Sequence, residues 1–188
     1  MKSLDKLVHS AIQYPLSGDD IRELTRGKSE IYIYEDLMKI NSIDEMLGKH
    51  GACVLLYQQS RTFGHFVSVM KMGKNHIEIF DSLGMGIDKE LQFSKFNVRN
   101  MSGRIVPHLT HLLEKSGYDY YYNSKMIQSS RHDENTCGRF AALRIRFRHL
   151  SLKEFIHLLT TNRSYNADFW VTVLSFETID VKRLGLDI

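Results

Sequence analysis

The sequence predicts an α+β fold: a small central, mostly antiparallel sheet flanked by helices, in one domain spanning residues 1–188. Three observations point there. Ala52-Cys53-Val54-Leu55-Leu56-Tyr57 is an unbroken apolar run of strand length, as expected for a strand covered on both faces. Residues 65–72 and 76–81 are β-prone runs joined by Gly73-Lys74-Asn75, a hairpin signature. Segments before and after this β section carry apolar residues at helical spacing, several of them with caps.

In chain order, residues 3–13 put Leu4, Leu7, Val8, Ala11 and Ile12 on one helical face, and Pro15 ends the pattern. Ser17 or Asp19 can cap a second short helix through Leu24. Residues 31–37 fit either an extended piece or a turn of helix. Ser42-Ile43-Asp44-Glu45 has the capping-box pattern, so a helix over 42–47 stops at Gly48. The apolar strand and the hairpin follow, separated by the polar loop 58–64 and closed by Ser82-Leu83-Gly84. Leu91, Phe93 and Phe96 suggest one more extended piece. Residues 106–115 read as a helix ended by Gly117, and Tyr118-Asp119-Tyr120-Tyr121-Tyr122 as a strand. A polar loop then gives way at Thr136-Cys137-Gly138 to a helix that includes Arg139, Phe140, Leu143, Arg144 and Ile145. Helices over 151–160, capped by Ser151 with Glu154, and over roughly 166–176 complete the chain.

Composition is that of a globular chain, with 43% hydrophobic and 25% charged residues, and a net charge of +3 is too mild to imply nucleic acid by itself. The N-terminus lacks a signal-peptide core, and no run is long enough to span a membrane, so no membrane partner is expected. Two cysteines without a Cys-x-x-Cys pair make no disulfide framework and fit a reducing compartment. His108 and His111 share a helix face, but no further ligand at useful spacing joins them, so no metal or other cofactor is expected.

The candidate site starts from Cys137. A cysteine at the start of a helix lies where unpaired backbone N–H groups and the helix dipole favour thiolate, the reactive form. A cysteine nucleophile needs a base, and the base an orienting group. Among nine histidines, His65 opens a strand whose hairpin partner closes with Asp81. If the turn holds three residues, Met72 lies opposite His76 and Val67 opposite Asp81. His65 and Asp81 are then diagonal neighbours on one sheet face, roughly 7–8 Å apart along the backbone. A two-residue turn would put them on opposite faces. Acyl transfer also needs a donor for the developing oxyanion. Gln128 and Asn135 both qualify. A basic cluster, Arg139, Arg144, Arg146, Arg148 and Lys153, is a candidate DNA contact.

Gly64-His65-Phe66, then Phe80-Asp81-Ser82-Leu83-Gly84, then Gln128, then Thr136-Cys137-Gly138-Arg139-Phe140 resembles the adenain-like cysteine proteases, which share their fold with the ubiquitin-like-protein proteases. It is most similar in look to the maturation proteases of virophages and related double-stranded DNA viruses. The resemblance, carried by motif over roughly residues 50–148, implies the adenain-type cysteine-protease fold. It implies Cys137 as nucleophile, His65 as general acid and base, Asp81 as its orienting group and Gln128 as oxyanion donor. The implied substrates are capsid and other virion precursors, cut near glycine or other small residues, in the virion or in a viral factory in cytoplasm or nucleus. DNA or a peptide joined through a second cysteine is an implied activator, and Cys53, in a buried-looking strand, is the only cysteine left for that role. Two other readings use the same residues: an isopeptidase acting on ubiquitin-like modifiers, and a non-catalytic DNA-binding virion protein of the same fold.

Overall fold

The computed structural model describes residues 4–60, 63–93, 105–131, 134–162 and 164–185. Helix α1 (Leu4–Ile12) buries Val8, Ala11 and Ile12. Helix α2 (Gly18–Leu24) is capped by Ser17, whose hydroxyl and backbone N–H pair reciprocally with Asp20. The stretch that fitted two conformations uses both: strand β1 (Glu30–Ile33) runs straight into a 3₁₀ turn, Tyr34–Lys39. Helix α3 (Ile43–Leu47) is capped by Ser42 and ends at Gly48, as expected. Only half of the capping box forms, because the Glu45 carboxylate accepts from the Asn41 backbone N–H instead.

Strands β2 (Ala52–Gln58), β3 (Gly64–Lys71) and β4 (His76–Phe80) match the three runs read from the sequence to within a residue or two. A second 3₁₀ turn, Lys89–Phe93, replaces the extended piece expected there; Phe96 lies outside the described residues. Helix α4 (His108–Ser116) ends on Gly117 in the left-handed conformation that glycine adopts without strain. Strand β5 (Asp119–Tyr122), helix α5 (Cys137–Arg146), α6 (Leu152–Thr160) and α7 (Ala167–Leu174) follow the expected order. A short final helix, α8 (Thr178–Arg183), had no clear sequence signal.

The α+β class and the helix-flanked sheet agree with the sequence reading. The sheet, in order β1-β2-β3-β4-β5, is mixed rather than mostly antiparallel. The two central joins are antiparallel, and β1 and β5 add to the edges in parallel. A helix or turn separates each edge strand from its partner in sequence, which is what a parallel join requires. Odd-numbered residues of the hairpin, including Val67, Val69, Ile77 and Ile79, pack under α3 and α4. On the opposite face, Phe66 and Met70 pack with Ala141, Ala142 and Ile145 of α5 and with Ile21 and Leu24 of α2. A third cluster joins Phe80 and Phe140 to Phe155 of α6 and Val171 of α7. Together these clusters seat α5 against β3, with its first residue near the strand's first residues. Among the described residues, no helix is long and apolar enough to cross a membrane.

A candidate active site at the ends of three elements

The turn between β3 and β4 determines the geometry. Ser68 pairs with Phe80 and Lys71 with Ile77, and the Met72 N–H donates to the His76 carbonyl at 2.8 Å. That is the three-residue turn, and it leaves His65 and Asp81 as diagonal neighbours. Their side chains meet in a buried hydrogen bond between His65 Nε2 and Asp81 Oδ1 at 2.6 Å. Asp81 is itself held firmly. Its Oδ1 accepts from the Leu83 N–H at 2.8 Å and its Oδ2 from the Met85 N–H at 2.9 Å. The Asn123 side chain brackets the Asp81 backbone, accepting from its N–H at 2.8 Å and donating to its carbonyl at 2.5 Å.

Cys137 is the first residue of α5 and shares the wall of one cleft with His65, close enough for each group to shift the other's ionisation. Since Nε2 is taken by Asp81, Nδ1 is the nitrogen left for the sulfur. Burial opposes charge on both groups, but their contact outweighs it. The Cys137 thiol is pulled below its ordinary value by the hydrogen bond and charge of His65, with the Phe66 and Gly138 backbone N–H groups assisting. The His65 imidazole is pushed up to about 10, burial being outweighed by the Asp81 bond and by Cys137. Each shift stabilises the charged form of its partner, which is how a thiolate–imidazolium pair persists near neutral pH. Cys53 is the opposite case: fully buried in β2, its thiol is pushed up by burial. A thiol enclosed in this way offers no access for a disulfide-linked peptide.

Cys137, His65 and Gln128 line one open cleft of about 460 Å³, whose apolar wall includes Leu16, Phe63 and Phe66. Both candidate oxyanion donors line this cleft and have other hydrogen-bond partners. The Asn135 amide donates one N–H to the Gln13 carbonyl at 2.8 Å. The Gln128 side-chain oxygen accepts from the Ser82 hydroxyl at 2.6 Å, which leaves its NH₂ end as the donor. The loop between them is tied down by Asp168 of α7, which accepts from the Ser129 N–H at 2.8 Å and from the Thr136 hydroxyl. His132 and Asp133 of this loop lie outside the described residues.

Asn123, Ser82, Asp168 and Glu90 were not singled out from the sequence. An asparagine directly after an aromatic strand is a weak turn signal, and an aspartate in the first turn of a helix is commonplace. Neither reveals a partner forty residues away. The basic cluster is largely consumed internally. Arg139 is buried against Asp180, Arg144 against Glu78, and Arg146 pairs with Glu177. Arg139 and Arg144 therefore present no charge to DNA.

As for metals, His65, Asp81 and the buried Glu90 offer ligand atoms within 4.8 Å of one another. Two donors on one tetrahedral zinc, with bonds of about 2.0–2.2 Å, lie roughly 3.3–3.5 Å apart. The 2.6 Å separation of Nε2 and Oδ1 is that of a hydrogen bond, so the cluster is a histidine–aspartate pair with a second carboxyl beside it.

The fold and site thus define an α+β protein with a cysteine, histidine and aspartate grouped at the edge of a cleft. The chain is 39% identical over 140 residues to uncharacterized protein V9 of Sputnik virophage, a match covering 74% of this chain and 80% of that protein. It belongs to the family of that virophage protein. No family model matches the chain.

Proposed function

We propose that the protein is a cysteine endopeptidase that matures virion proteins, acting in the virion or the viral factory. The observation that carries this reading is the His65–Asp81 hydrogen bond beside Cys137, at the wall of a cleft that also holds Gln128. Its kinship with a virophage protein is consistent with a viral setting, and the proposed substrates, precursors of the capsid and of other virion components, follow from the resemblance to adenain-like proteases.

In the proposed reaction the Cys137 sulfur adds to the scissile carbonyl carbon, and the oxygen becomes an oxyanion facing the Gln128 NH₂ and the Cys137 backbone N–H. The C–N bond breaks as His65 gives its Nδ1 proton to the leaving amine. A water then adds to the thioester, His65 takes one of its protons, and the C–S bond breaks to return the thiolate and release the new carboxyl end. Asp81 keeps the ring oriented and its charge compensated throughout. The chemistry needs no metal.

The test is incubation with virion precursor proteins of the same virus, beside a panel of ubiquitin-like conjugates and a Cys137→Ala control. Precursor fragments that disappear with Cys137→Ala support the endopeptidase. Cleavage of the conjugates alone assigns an isopeptidase instead. No cleavage, with no labelling of Cys137 by peptide electrophiles, overturns the enzymatic reading.

A further inference from the structure

Glu90 has no role in the chemistry above, yet it is the most conspicuous side chain near it. It lies in the 3₁₀ turn Lys89–Phe93, whose next residue, Leu91, is anchored in the core beneath α3 and α4. That is the sheet face to which His65 and Asp81 point. The Glu90 side chain is buried. Its Oε2 accepts from the Gln59 amide at 3.1 Å, while its Oε1 has no hydrogen-bond partner among the described residues. Leaving a carboxylate oxygen buried and unpartnered is costly. Such a group persists where something other than a local hydrogen bond compensates it, and the His65 ring offers a nitrogen within 4.8 Å whose charge acts on it.

We infer that Glu90 is a positioning residue of this site, a second counter-charge behind His65 that keeps the imidazolium protonated until its proton passes to the leaving group. The inference rests on the reading of Cys137, His65 and Asp81 given above. Among the described residues, the charged groups facing His65 are Asp81 from the end of β4, Cys137 from α5 and Glu90 from the 3₁₀ turn. Those facing Glu90 are His65 and Asp81, with the neutral Gln59 from the loop after β2. Burial, followed by the charge of Asp81, raises the Glu90 carboxyl above the ordinary glutamate value, while His65 and Gln59 lower it. When ionised, the Glu90 carboxylate sets a negative charge within 4.8 Å of the ring. An opposite charge at about 4–6 Å shifts an ionisation by roughly 1–3 units, and the lower end suits a group that shares its influence with Asp81.

The experiment is a titration of the His65 ring by ¹⁵N-histidine NMR from about pH 5 to about pH 11, the resonance being assigned by its loss in His65→Ala. Glu90→Gln keeps the shape and the Gln59 contact and removes the charge. It is expected to lower the His65 midpoint by about one unit, and Glu90→Asp, which restores a carboxylate, to recover most of that shift. A purely structural role moves neither. A wild-type midpoint that is raised but unchanged in Glu90→Gln overturns this inference alone. A wild-type midpoint at the ordinary histidine value of about 6.5 overturns the site reading, and this inference with it. Should Glu90→Gln fail to fold, the wild type decides: the His65 resonance must show a second, acid-side step as Glu90 ionises, and its absence overturns the inference.

Discussion

Removing His65 is the most direct perturbation of the site, because nearly everything that favours the Cys137 thiolate comes from that ring. Burial pushes the thiol up, and the His65 hydrogen bond and charge pull it down past its ordinary value. His65→Ala deletes the two largest downward contributions and keeps the upward one, with only the Phe66 and Gly138 backbone N–H groups left to oppose it. An unperturbed thiol of pKa about 8.5 is roughly 3% thiolate at pH 7, and in the variant Cys137 should lie below even that. Each unit of restored pKa removes tenfold in thiolate at pH 7. It returns roughly threefold in nucleophilicity, since reactivity rises with basicity with a coefficient of about 0.4–0.5. The rate at a single pH therefore understates the change, and the midpoint of the rate–pH profile is the quantity to read. The assay is iodoacetamide labelling across that range, with each cysteine resolved by peptide mass. Cys53, buried in β2, serves as the internal unreactive control. The expected result is a wild-type midpoint well below 8.5 that moves above it in His65→Ala. Coincident profiles would refute the reasoning, because Cys137 would then owe nothing to its neighbour.

Gln128→Ala should lower kcat by roughly 10²–10³-fold and leave the Cys137 alkylation midpoint in place, since Gln128 faces the developing oxyanion and not the resting thiolate. The His65 shift also makes stability depend on pH. A histidine raised to about 10 contributes fully below its unfolded value near 6.5, and that contribution is lost as pH rises through about 10. Melting curves of wild type and His65→Ala should therefore converge with rising pH over that window. Arg144→Ala leaves the Glu78 carboxylate buried at the centre of the sheet with only Tyr121 for company, at a cost of roughly 3–5 kcal/mol. Urea unfolding should show that loss, while the folded fraction keeps the low Cys137 midpoint.

The parts of the fold that were legible in the sequence are those set by local rules. The three central strands follow from apolar runs, the hairpin register from the three-residue turn at Gly73, and the cap of α6 from Ser151 with Glu154 three positions on. The histidine–aspartate pair was legible for the same reason, because register and side-chain parity are local consequences of one turn. The parallel edge strands were not, since pairing across a helix is decided by which apolar faces must be covered. Residues 31–37 stayed ambiguous because the segment contains a strand and a 3₁₀ turn back to back. The arginines of α5 could not be assigned their partners, Glu78, Glu177 and Asp180, because these come from elements far away in sequence. Glu90 escaped for a similar reason. One glutamate in an unpatterned stretch carries no sign that the core residue beside it turns it inward.

The groups proposed to react all stand at the ends of elements: His65 near the start of β3, Asp81 just past β4, Cys137 at the first turn of α5. An element's end is where the backbone still has hydrogen bonds to give. Asp81 takes two N–H groups from the turn after it, Cys137 is stabilised by the N–H groups of Phe66 and Gly138, and the Gln128 N–H reaches the Ser82 carbonyl at 3.0 Å. Charges that would be costly inside a strand or helix are compensated here by groups that do not titrate. The buried ion pairs in the middles of the same elements, Arg144 with Glu78 above all, make no contact with these groups. Reactivity and stability thus reside in separate side chains of α5. A substitution at its first residue should change the chemistry and spare the fold, whereas one at Arg144, two turns along, should do the reverse.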